Sequence, residues 1–250
     1  MPELFNLCDK AQCPGLVLID LLIGEGRFSF DPDDVDMHPG IDRGELITEG
    51  TLSGETYQRY KDTDSGISPR AIAGLEGYVH VVATDEHDED GILISDEFTN
   101  PHKRRQMVEK RARKFQNVID DVAPPELEGE KNADVTLIGW GSTYGVIKEA
   151  IAQLADQGVT VNHLPVKWII PLHGDAIVDI LSSSKKTIII ENNYSGQFAR
   201  YLRSETGFAP DGHIRKYDGE PFMPHHIVDG VLEQIAGKTN HYVPYQEVIV

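Results

Sequence analysis

Polar residues that could contact a ligand stand in two turns of the second half of the chain. One turn is residues 139–145 (Gly-Trp-Gly-Ser-Thr-Tyr-Gly) and the other is residues 191–193 (Glu-Asn-Asn), each directly after an apolar run. Open α/β sheets bind ligands at the carboxyl ends of their strands, which makes both turns candidates. The first turn lacks the G-x-G-x-x-G spacing of a dinucleotide site and the lysine of a phosphate loop. We therefore expect Ser142 or Thr143 to cap a helix, and the second turn to satisfy its own main chain.

Three groups carry metal-ligating residue types at spacings that do not suit an ion. Residues 86–90 (Glu-His-Asp-Glu-Asp) and the pair His225 and His226 are consecutive, so in extended chain their side chains point to opposite sides. Cys8 and Cys13 stand at a C-x4-C spacing that matches neither a thiol redox pair nor a four-cysteine cluster site. The sequence assigns no catalytic residue and no metal ligand, and it leaves the cofactor-binding residues unknown.

Positive charge is concentrated in one predicted helix. Seven of the 23 basic residues fall within twelve positions: Lys103, Arg104, Arg105, Lys110, Arg111, Arg113 and Lys114. Such a field could attract a negatively charged subunit or an anion such as coenzyme A, and a solvated helix carrying Glu109 explains it equally well. Arg70, on the turn of residues 66–70 (Gly-Ile-Ser-Pro-Arg), is expected to hold that segment through a carboxylate or a carbonyl rather than to contact substrate.

The composition excludes several classes of partner. The 250 residues include 23 Lys and Arg against 41 Asp and Glu, a net charge of −18 that repels nucleic acid and anionic lipid. This acidity is compatible with a salt-rich cytoplasm and with an ordinary one. No apolar run approaches the roughly 20 residues of a membrane span, and the first residues lack the basic start of a signal peptide. We expect a cytoplasmic protein with no nucleic-acid or membrane partner.

The elements that must position these residues differ between the two halves of the chain. Residues 4–12 predict a helix and residues 16–20 a buried strand, whereas residues 24–102 lack periodicity and predict an extended arm lying over neighbouring domains or subunits. A charged helix over 103–121 and a linker over 124–131 follow. From residue 132 onward, apolar runs alternate with helical segments: the pattern predicts, among others, a helix over 143–157, a strand over 159–161 and a helix over 196–205 that ends at Gly207. That alternation predicts a doubly wound α/β domain with a mostly parallel sheet.

Seven motifs spaced along the chain carry a family resemblance. They are residues 64–70 (Asp-Ser-Gly-Ile-Ser-Pro-Arg), 86–91 (Glu-His-Asp-Glu-Asp-Gly), 107–111 (Met-Val-Glu-Lys-Arg), 140–143 (Trp-Gly-Ser-Thr), 190–197 (Ile-Glu-Asn-Asn-Tyr-Ser-Gly-Gln), 206–207 (Thr-Gly) and 216–222 (Lys-Tyr-Asp-Gly-Glu-Pro-Phe). The set resembles the alpha subunit of the 2-oxoacid:ferredoxin oxidoreductases, the family that acts on 2-oxoglutarate or pyruvate. The resemblance covers essentially the whole chain but only the second half of the family's subunit.

The resemblance implies a division into three parts. Residues 1–24 would be the tail of a truncated pyrimidine-binding domain, and residues 25–131 the extended arm, basic helix and linker. Residues 132–250 would form a doubly wound domain like the C-terminal domain of transketolase. This would place the first residue inside a longer ancestral subunit, whether through a split gene, a truncation or expression of a fragment.

The resemblance also implies oxidative decarboxylation of a 2-oxoacid to acyl-coenzyme A, with thiamine diphosphate, Mg and iron–sulfur clusters in the assembled enzyme and ferredoxin as acceptor. Two family motifs near substrate and cofactor, Tyr-Pro-Ile-Thr-Pro and Arg-x-Gly-Pro-Ser-Thr-Gly, are absent. We therefore expect none of these cofactors to bind this chain alone, which would be inactive without partners. The implied partners are a beta subunit and the missing N-terminal alpha and gamma portions, through which the chain would meet ferredoxin and coenzyme A.

Two questions stay open at this level. Residues 66–70 and 86–89 are closer to the 2-oxoglutarate branch of the family than to the pyruvate branch, which favours 2-oxoglutarate as substrate. The alternative function is a non-catalytic assembly or regulatory module derived from the same subunit, which the missing N-terminal half supports. A neighbouring reading frame encoding the absent motifs would favour the enzyme.

Overall fold

A computed structural model describes residues 1–95, 97 and 99–245. The chain divides into two compact units. Unit 1 comprises Met1–Leu16 with Phe30–Val122, and unit 2 comprises Val17–Ser29 with Ala123–Val250.

The regular elements are concentrated in the second half of the chain. The helices are α1 (Pro2–Ala11), α2 (Leu21–Glu25), α3 (Pro101–Asp121), α4 (Thr143–Asp156), α5 (Gly174–Ser182), α6 (Gln197–Thr206) and α7 (Pro224–Ile235), with a short 3-10 turn at Pro32–Asp34. The strands are β1 (Leu46–Ile47), β2 (Arg70–Ala71), β3 (Val135–Trp140), β4 (Val161–Val166), β5 (Thr187–Glu191), β6 (Gly212–Arg215) and β7 (His241–Tyr242).

Unit 2 is built on a five-stranded sheet in the order β4-β3-β5-β6-β7, in which every pairing is parallel. The chain starts at β3, moves outward to β4 and then crosses back to β5 on the other side. The strand order therefore reverses between β3 and β5. This arrangement confirms the predicted doubly wound α/β fold with a mostly parallel sheet.

The sheet is covered on both faces, which explains why its central strands are apolar throughout. Residues Leu137, Ile188 and Ile190 face α4 and α7, and they pack in one core with Ile147 and Ile227. The opposite face of the sheet forms a second core with α5 and α6. Its strand residues include Ile138, Leu164 and Ile189, and its helix residues include Ile177, Phe198 and Leu202. Two apolar layers on opposite faces are what a parallel sheet between helices requires.

Residue 128 pairs with the outer strand of the sheet. The main chain of Glu128 exchanges both hydrogen bonds with His163 on β4, at 2.8 and 2.9 Å. Asn162 adds a side-chain bond to the carbonyl of Glu130 at 2.8 Å. The segment predicted as a linker therefore supplies main-chain partners to part of an edge strand.

Unit 1 has fewer regular elements and a smaller core. Its buried apolar residues come from α1, α3 and the loops between them: Ala11, Ile67, Ile94, Met107, Val118 and Val122. β1 and β2 form a two-stranded parallel pair, and Gly66 lies so close to α3 that an added Cβ would be 2.3 Å from the carbonyl oxygen of Lys110. The extended arm precedes the doubly wound domain as predicted. It packs on α3 within its own unit, whereas the sequence predicted an arm lying over neighbouring domains or subunits.

Residues 16–20, predicted as a buried strand, belong to no helix and no sheet. Leu18 and Ile19 are each 61% exposed. The prediction was wrong because the apolar pattern identifies a strand only where a sheet exists to receive it, and none of the described strands pairs with this segment.

No helix among the described residues combines the length and the apolar character that crossing a bilayer requires.

Candidate functional site

The carboxyl end of β5 lies at the point where the strand order of unit 2 reverses, and Glu191 occupies it. The residue is fully buried, and its carboxylate accepts hydrogen bonds from the main-chain N–H groups of Phe198 and Ala199 at 2.8 and 3.0 Å. A third bond comes from the side-chain amide of Asn193 at 2.9 Å. The carboxylate therefore stands where a bound anion lies in many α/β proteins, at the first turn of a helix.

Asn193 completes this arrangement. Its Oδ1 accepts from the N–H groups of Gly196 and Gln197 at 2.7 and 3.0 Å, and Gly196 has a left-handed φ of 65°. Side chains of the turn thus bond the four consecutive N–H groups of residues 196–199. The turn at residues 191–193 satisfies the main chain of α6, as the sequence predicted. The N–H groups of residues 196–199 already have acceptors within the protein.

In the turn at residues 139–145, the main chain at Gly139 lies close to neighbouring side chains. An added Cβ on Gly139 would lie 2.3, 2.9 and 3.1 Å from side-chain atoms of Ile147, Thr143 and His163, so a larger residue there would displace these buried side chains. Thr143 Oγ1 accepts from the N–H of Trp140 at 3.0 Å and donates to its carbonyl at 2.8 Å.

The predicted capping role of this turn is wrong. The side chain of Thr143 is occupied by Trp140, and Ser142 donates its hydroxyl to the carboxylate of Asp20 instead of accepting from α4, which has no side-chain cap. Sequence reasoning could not place Asp20 here, because the contact joins residues 122 positions apart.

His163, on β4, is a buried histidine that the sequence did not single out. It is fully buried, and neither ring nitrogen has a hydrogen-bond partner. Burial lowers its pKa from 6.5 to about 4, and the nearby Glu128 carboxylate opposes that shift while Lys148 adds to it. The imidazole is therefore neutral at physiological pH.

A small polar cluster lies beside this histidine. Tyr144 donates to Glu128 at 3.0 Å, Lys148 pairs with the same carboxylate at 2.8 Å, and the Tyr144 ring is 5.5 Å from the His163 ring. Both donors lower the pKa of the Glu128 carboxyl. The cluster pins residue 128 to α4, which is a structural role.

Arg215, at the end of β6, is a second residue that the sequence did not reveal. Gly196 lies against its guanidinium group, with an added Cβ only 2.5 Å from Nη2. The guanidinium donates to the carbonyl of Tyr194 at 3.3 Å and meets the ring of His213 at 3.2 Å, while its Nε is buried without a partner. Gly196 therefore adopts a left-handed conformation before helix α6 and leaves space for the guanidinium group of Arg215.

Lys216 follows directly and is the largest fully buried side chain of unit 2. Its ammonium group forms an ion pair with Asp218 and donates to the carbonyl of Glu220 at 3.2 Å. The motif at residues 216–222 therefore closes a turn around a buried charge.

The acidic segment of residues 86–90 and the basic helix α3 neutralise each other in unit 1. Arg111 holds Glu86 in a bidentate pair at 2.7 and 2.9 Å, and Lys103 holds the buried Glu89 at 2.7 and 2.9 Å. Arg113 also pairs with Asp62. The sequence left open a subunit-binding field and a solvated face for α3, and these ion pairs add a role that neither interpretation included, in which the helix holds the arm.

Lys110 is the buried cation of α3. Its ammonium group donates to the Ser68 hydroxyl at 2.6 Å and to the Tyr60 carbonyl at 2.9 Å, and burial lowers its pKa from 10.5 to about 8. It fastens the turn of residues 66–70 to the helix.

Arg70 holds unit 1 through a carboxylate, as predicted. It donates to Asp9 at 2.7 Å, and Arg43 approaches the other oxygen of Asp9 at 2.5 Å. These residues line a groove of about 810 Å³ together with Cys8 and Cys13. Because two guanidinium groups share one carboxylate, these three side chains leave an excess of one positive charge in the groove.

The described residues do not fit a metal or an iron–sulfur cluster. No three His, Cys, Asp or Glu side chains among them converge on a point where an ion could bind. His226 accepts a hydrogen bond from the N–H of Met223 at 3.1 Å at the start of α7, and the ring of His225 meets its ring edge-on. The whole chain contains two cysteines, and a cluster of the common types needs four.

Comparison with known proteins identifies unit 2. The family model described as "Transketolase, C-terminal domain" matches residues 126–242. This span contains β3–β7 and the helices between them, and it confirms the predicted fold family.

Longer relatives match almost the entire chain. It is 34% identical over 232 residues to 2-oxoacid:ferredoxin oxidoreductase 2, subunit alpha, of Aeropyrum pernix, a match that covers 91% of this chain and 35% of the relative. It is 28% identical to a 2-oxoglutarate oxidoreductase subunit of Mycobacterium tuberculosis, covering 94% of this chain and 34% of the relative.

A solved structure of a similarly named enzyme matches most of the chain as well. The 2-oxoglutarate:ferredoxin oxidoreductase of Magnetococcus marinus, solved with 2-oxoglutarate, coenzyme A and succinyl-CoA bound, superposes with a TM-score of 0.69 at 33% identity. The match covers 82% of this chain and 34% of that one. The chain thus spans about a third of the length of each of these three relatives.

Proposed function

The chain belongs to the family of 2-oxoacid:ferredoxin oxidoreductase alpha subunits, and from this membership we propose that it is the C-terminal part of such a subunit in an assembled enzyme. The proposed reaction is the oxidative decarboxylation of a 2-oxoacid to acyl-coenzyme A with reduction of ferredoxin. The observation that carries the proposal is the match to the Magnetococcus enzyme, which combines 33% identity with a TM-score of 0.69 over 82% of the chain.

The proposed role of this chain is structural support for a site formed elsewhere in the complex. The polar side chains of its two candidate ligand-binding turns form hydrogen bonds within the protein. Glu191 and Asn193 bond the main chain of the first turn of α6, and Thr143 bonds the main chain of Trp140. We accordingly assign it no catalytic residue and no metal ligand. Thiamine diphosphate, Mg and the iron–sulfur clusters would be held by other polypeptides, since the donors described here do not fit a cluster.

The partners follow from the coverage of the relatives. About two thirds of the length of the Aeropyrum subunit lies outside the match. The proposal therefore requires the part of the subunit outside the match, on the same or on another polypeptide, together with a beta subunit, and it keeps the cytoplasmic location expected from the sequence. Ferredoxin and coenzyme A would be met through the complex.

We propose 2-oxoglutarate rather than pyruvate as the substrate. The name of the Magnetococcus enzyme and its bound ligands support this choice, as does the name of the mycobacterial relative. The comparisons do not favour the alternative of a non-catalytic assembly or regulatory module, since the relatives reported above carry the names of oxidoreductases.

The proposal is tested on the complex purified from source cells through a tag on this chain. Under anaerobic conditions, 2-oxoglutarate and coenzyme A should together give succinyl-CoA and reduced ferredoxin, with pyruvate at least about tenfold poorer in kcat/KM. A complex that turns over pyruvate equally well would overturn the substrate, and one that oxidises no 2-oxoacid would overturn the function.

A further inference from the structure

Cys8 and Cys13 stand at the two ends of the turn that terminates helix α1. The helix ends at Ala11, and Gln12 after it is left-handed, with φ 51° and ψ 54°. The N–H of Cys13 donates to the carbonyl of Cys8 at 3.1 Å. A left-handed residue directly after a helix, together with a hydrogen bond of this span, is a Schellman motif. Such a motif commonly brings the side chains of its first and last residues into contact.

The same hydrogen bond limits the distance between the two cysteines. With 3.1 Å between the nitrogen and the oxygen, standard bond lengths put the two Cα atoms at most about 7 Å apart. Disulfides span Cα separations of about 4.4–6.8 Å, so a bond between Cys8 and Cys13 is within reach. The C-x4-C spacing does not match a thiol redox pair in the sequence, and the turn supplies a proximity that the spacing does not reveal.

The surroundings of the two thiols differ. Burial raises the pKa of Cys8, and the charges of Cys13 and Asp9 add to that rise. Lys114, on α3, donates to the carbonyl of Gln12 at 3.3 Å. Burial lowers the pKa of Lys114, and the charge of a Cys13 thiolate opposes that shift, which places the ammonium group near the Cys13 sulfur. Because a neighbouring cation favours the thiolate, the attacking form of cysteine, Cys13 is the better nucleophile of the two.

Both cysteines line the groove of about 810 Å³ in unit 1 and are partly exposed. The groove also contains Arg43 and Arg70, which share the carboxylate of Asp9 and leave an excess of one positive charge. A local excess of positive charge raises the concentration of anions near it. An anionic reagent can therefore reach the thiols through this groove.

We propose that Cys8 and Cys13 form a reversible redox site, which an anionic low-molecular-weight disulfide oxidises to an intramolecular disulfide. The Cys13 thiolate attacks one sulfur of that reagent, forms a mixed disulfide and releases the first thiolate. Cys8, after losing its proton, attacks the Cys13 sulfur and releases the second thiolate. The two cysteine thiols thereby lose two electrons and two protons, and the external disulfide becomes two thiols.

The short ring that this bond closes makes the site reversible. The loop contains only residues 8–13, and short loops gain the least chain entropy from closure. A partly exposed disulfide with little such stabilisation is readily reduced by thiols. This inference goes beyond the proposed function and does not depend on it, since neither step involves a 2-oxoacid.

The test exposes the purified 250-residue chain to glutathione buffers of increasing oxidised fraction in the absence of oxygen. Free thiols are then blocked with N-ethylmaleimide, and the intact mass is measured. The expected product has lost two hydrogens, carries no glutathione and returns to the dithiol with dithiothreitol. A chain that retains glutathione, or that stays a dithiol in glutathione disulfide alone, would overturn the inference.

The same titration in concentrated urea separates the folded turn from the short spacing. The equilibrium constant for forming the disulfide should be at least about tenfold lower in urea, because the unfolded chain does not hold the thiols together. Equal constants in the folded and unfolded chains would show that the turn does not create the site and would overturn the inference.

Substitutions test the order of the two steps. Cys8→Ser should stop at the mixed disulfide and keep one glutathione on Cys13. Cys13→Ser should react at least about tenfold more slowly, because burial disfavours the thiolate of the remaining cysteine. Lys114→Met should slow the first step, whereas Arg105→Met, which removes an exposed cation from the same helix, should leave the rate unchanged. Equal rates of the two cysteine variants, or of the two α3 variants, would overturn the assignment of Cys13 as the attacking thiol.

Discussion

Glu191 acts as an internal anion for helix α6, and its removal has a predictable cost. Glu191→Ala leaves the buried N–H groups of Phe198 and Ala199 without their acceptor. We predict a loss of about 2–4 kcal/mol in the free energy of unfolding, the usual cost of stranding two buried donors. Urea unfolding of the isolated chain measures it. Glu191→Gln retains one acceptor oxygen and serves as the control, so an equal loss in both variants would contradict this role.

His163 makes stability depend on pH. Its pKa is about 4 in the folded chain against 6.5 for a free histidine, so between these values the unfolded chain binds a proton that the folded chain does not. The contribution is complete above pH 6.5 and is lost as the pH falls toward 4, by up to about 3 kcal/mol. Burial lowers the pKa of His213, His226 and His241 as well, which adds to the same slope.

We therefore predict that His163→Leu reduces the loss of unfolding free energy between pH 6.5 and 4 without abolishing it. Denaturant unfolding at a series of pH values measures the slope, with the exposed His38→Leu as the control. An unchanged slope in the His163 variant would show that its imidazole is solvated in the folded chain.

At the level of elements, the basic residues of helix α3 differ in role according to the carboxylate that each one pairs with. Arg111 holds the carboxylate of Glu86, which is 18% exposed, whereas Arg105 pairs with Glu109 on the same exposed helix face. We predict that Arg111→Gln costs about 1–2 kcal/mol and speeds amide exchange at residues 86–94, while Arg105→Gln stays within about 0.5 kcal/mol. Thermal melting and amide exchange test both. Equal effects of the two variants would return α3 to the role of a solvated face.

Elements with a clear apolar period were predicted closely from the sequence. The helix expected over 143–157 is observed as Thr143–Asp156, and Gly207, expected to end α6, caps it with a φ of 75°. β4 was expected at 159–161 and is observed as Val161–Val166, since Asn162 and His163 interrupt the apolar run although both are buried. Polar residues in a buried strand are hidden from pattern analysis because burial depends on what the rest of the fold places over them.

The sequence predicted the local contacts of the candidate site but not those that depend on tertiary structure. The main-chain role of residues 191–193 follows from turn chemistry over seven or eight positions. The bond from Ser142 to Asp20 and the contact of Gly196 with Arg215 are set by tertiary structure, which a local pattern does not contain.

At the scale of the whole molecule, the chain is proposed to be one part of a larger enzyme. Unit 2 is a covered parallel sheet whose polar turns are internally bonded, and the chain spans about a third of its relatives. Activity should therefore belong to the assembly, while this chain is required for it.

Removing the chain and restoring it tests this requirement most directly. Source cells that lack this chain should yield the remaining polypeptides without 2-oxoglutarate-dependent and coenzyme A-dependent reduction of ferredoxin, and adding the purified chain back should restore the rate up to a saturating one-to-one ratio. An undiminished rate in the absence of the chain, or turnover by the purified chain alone, would contradict the proposed role.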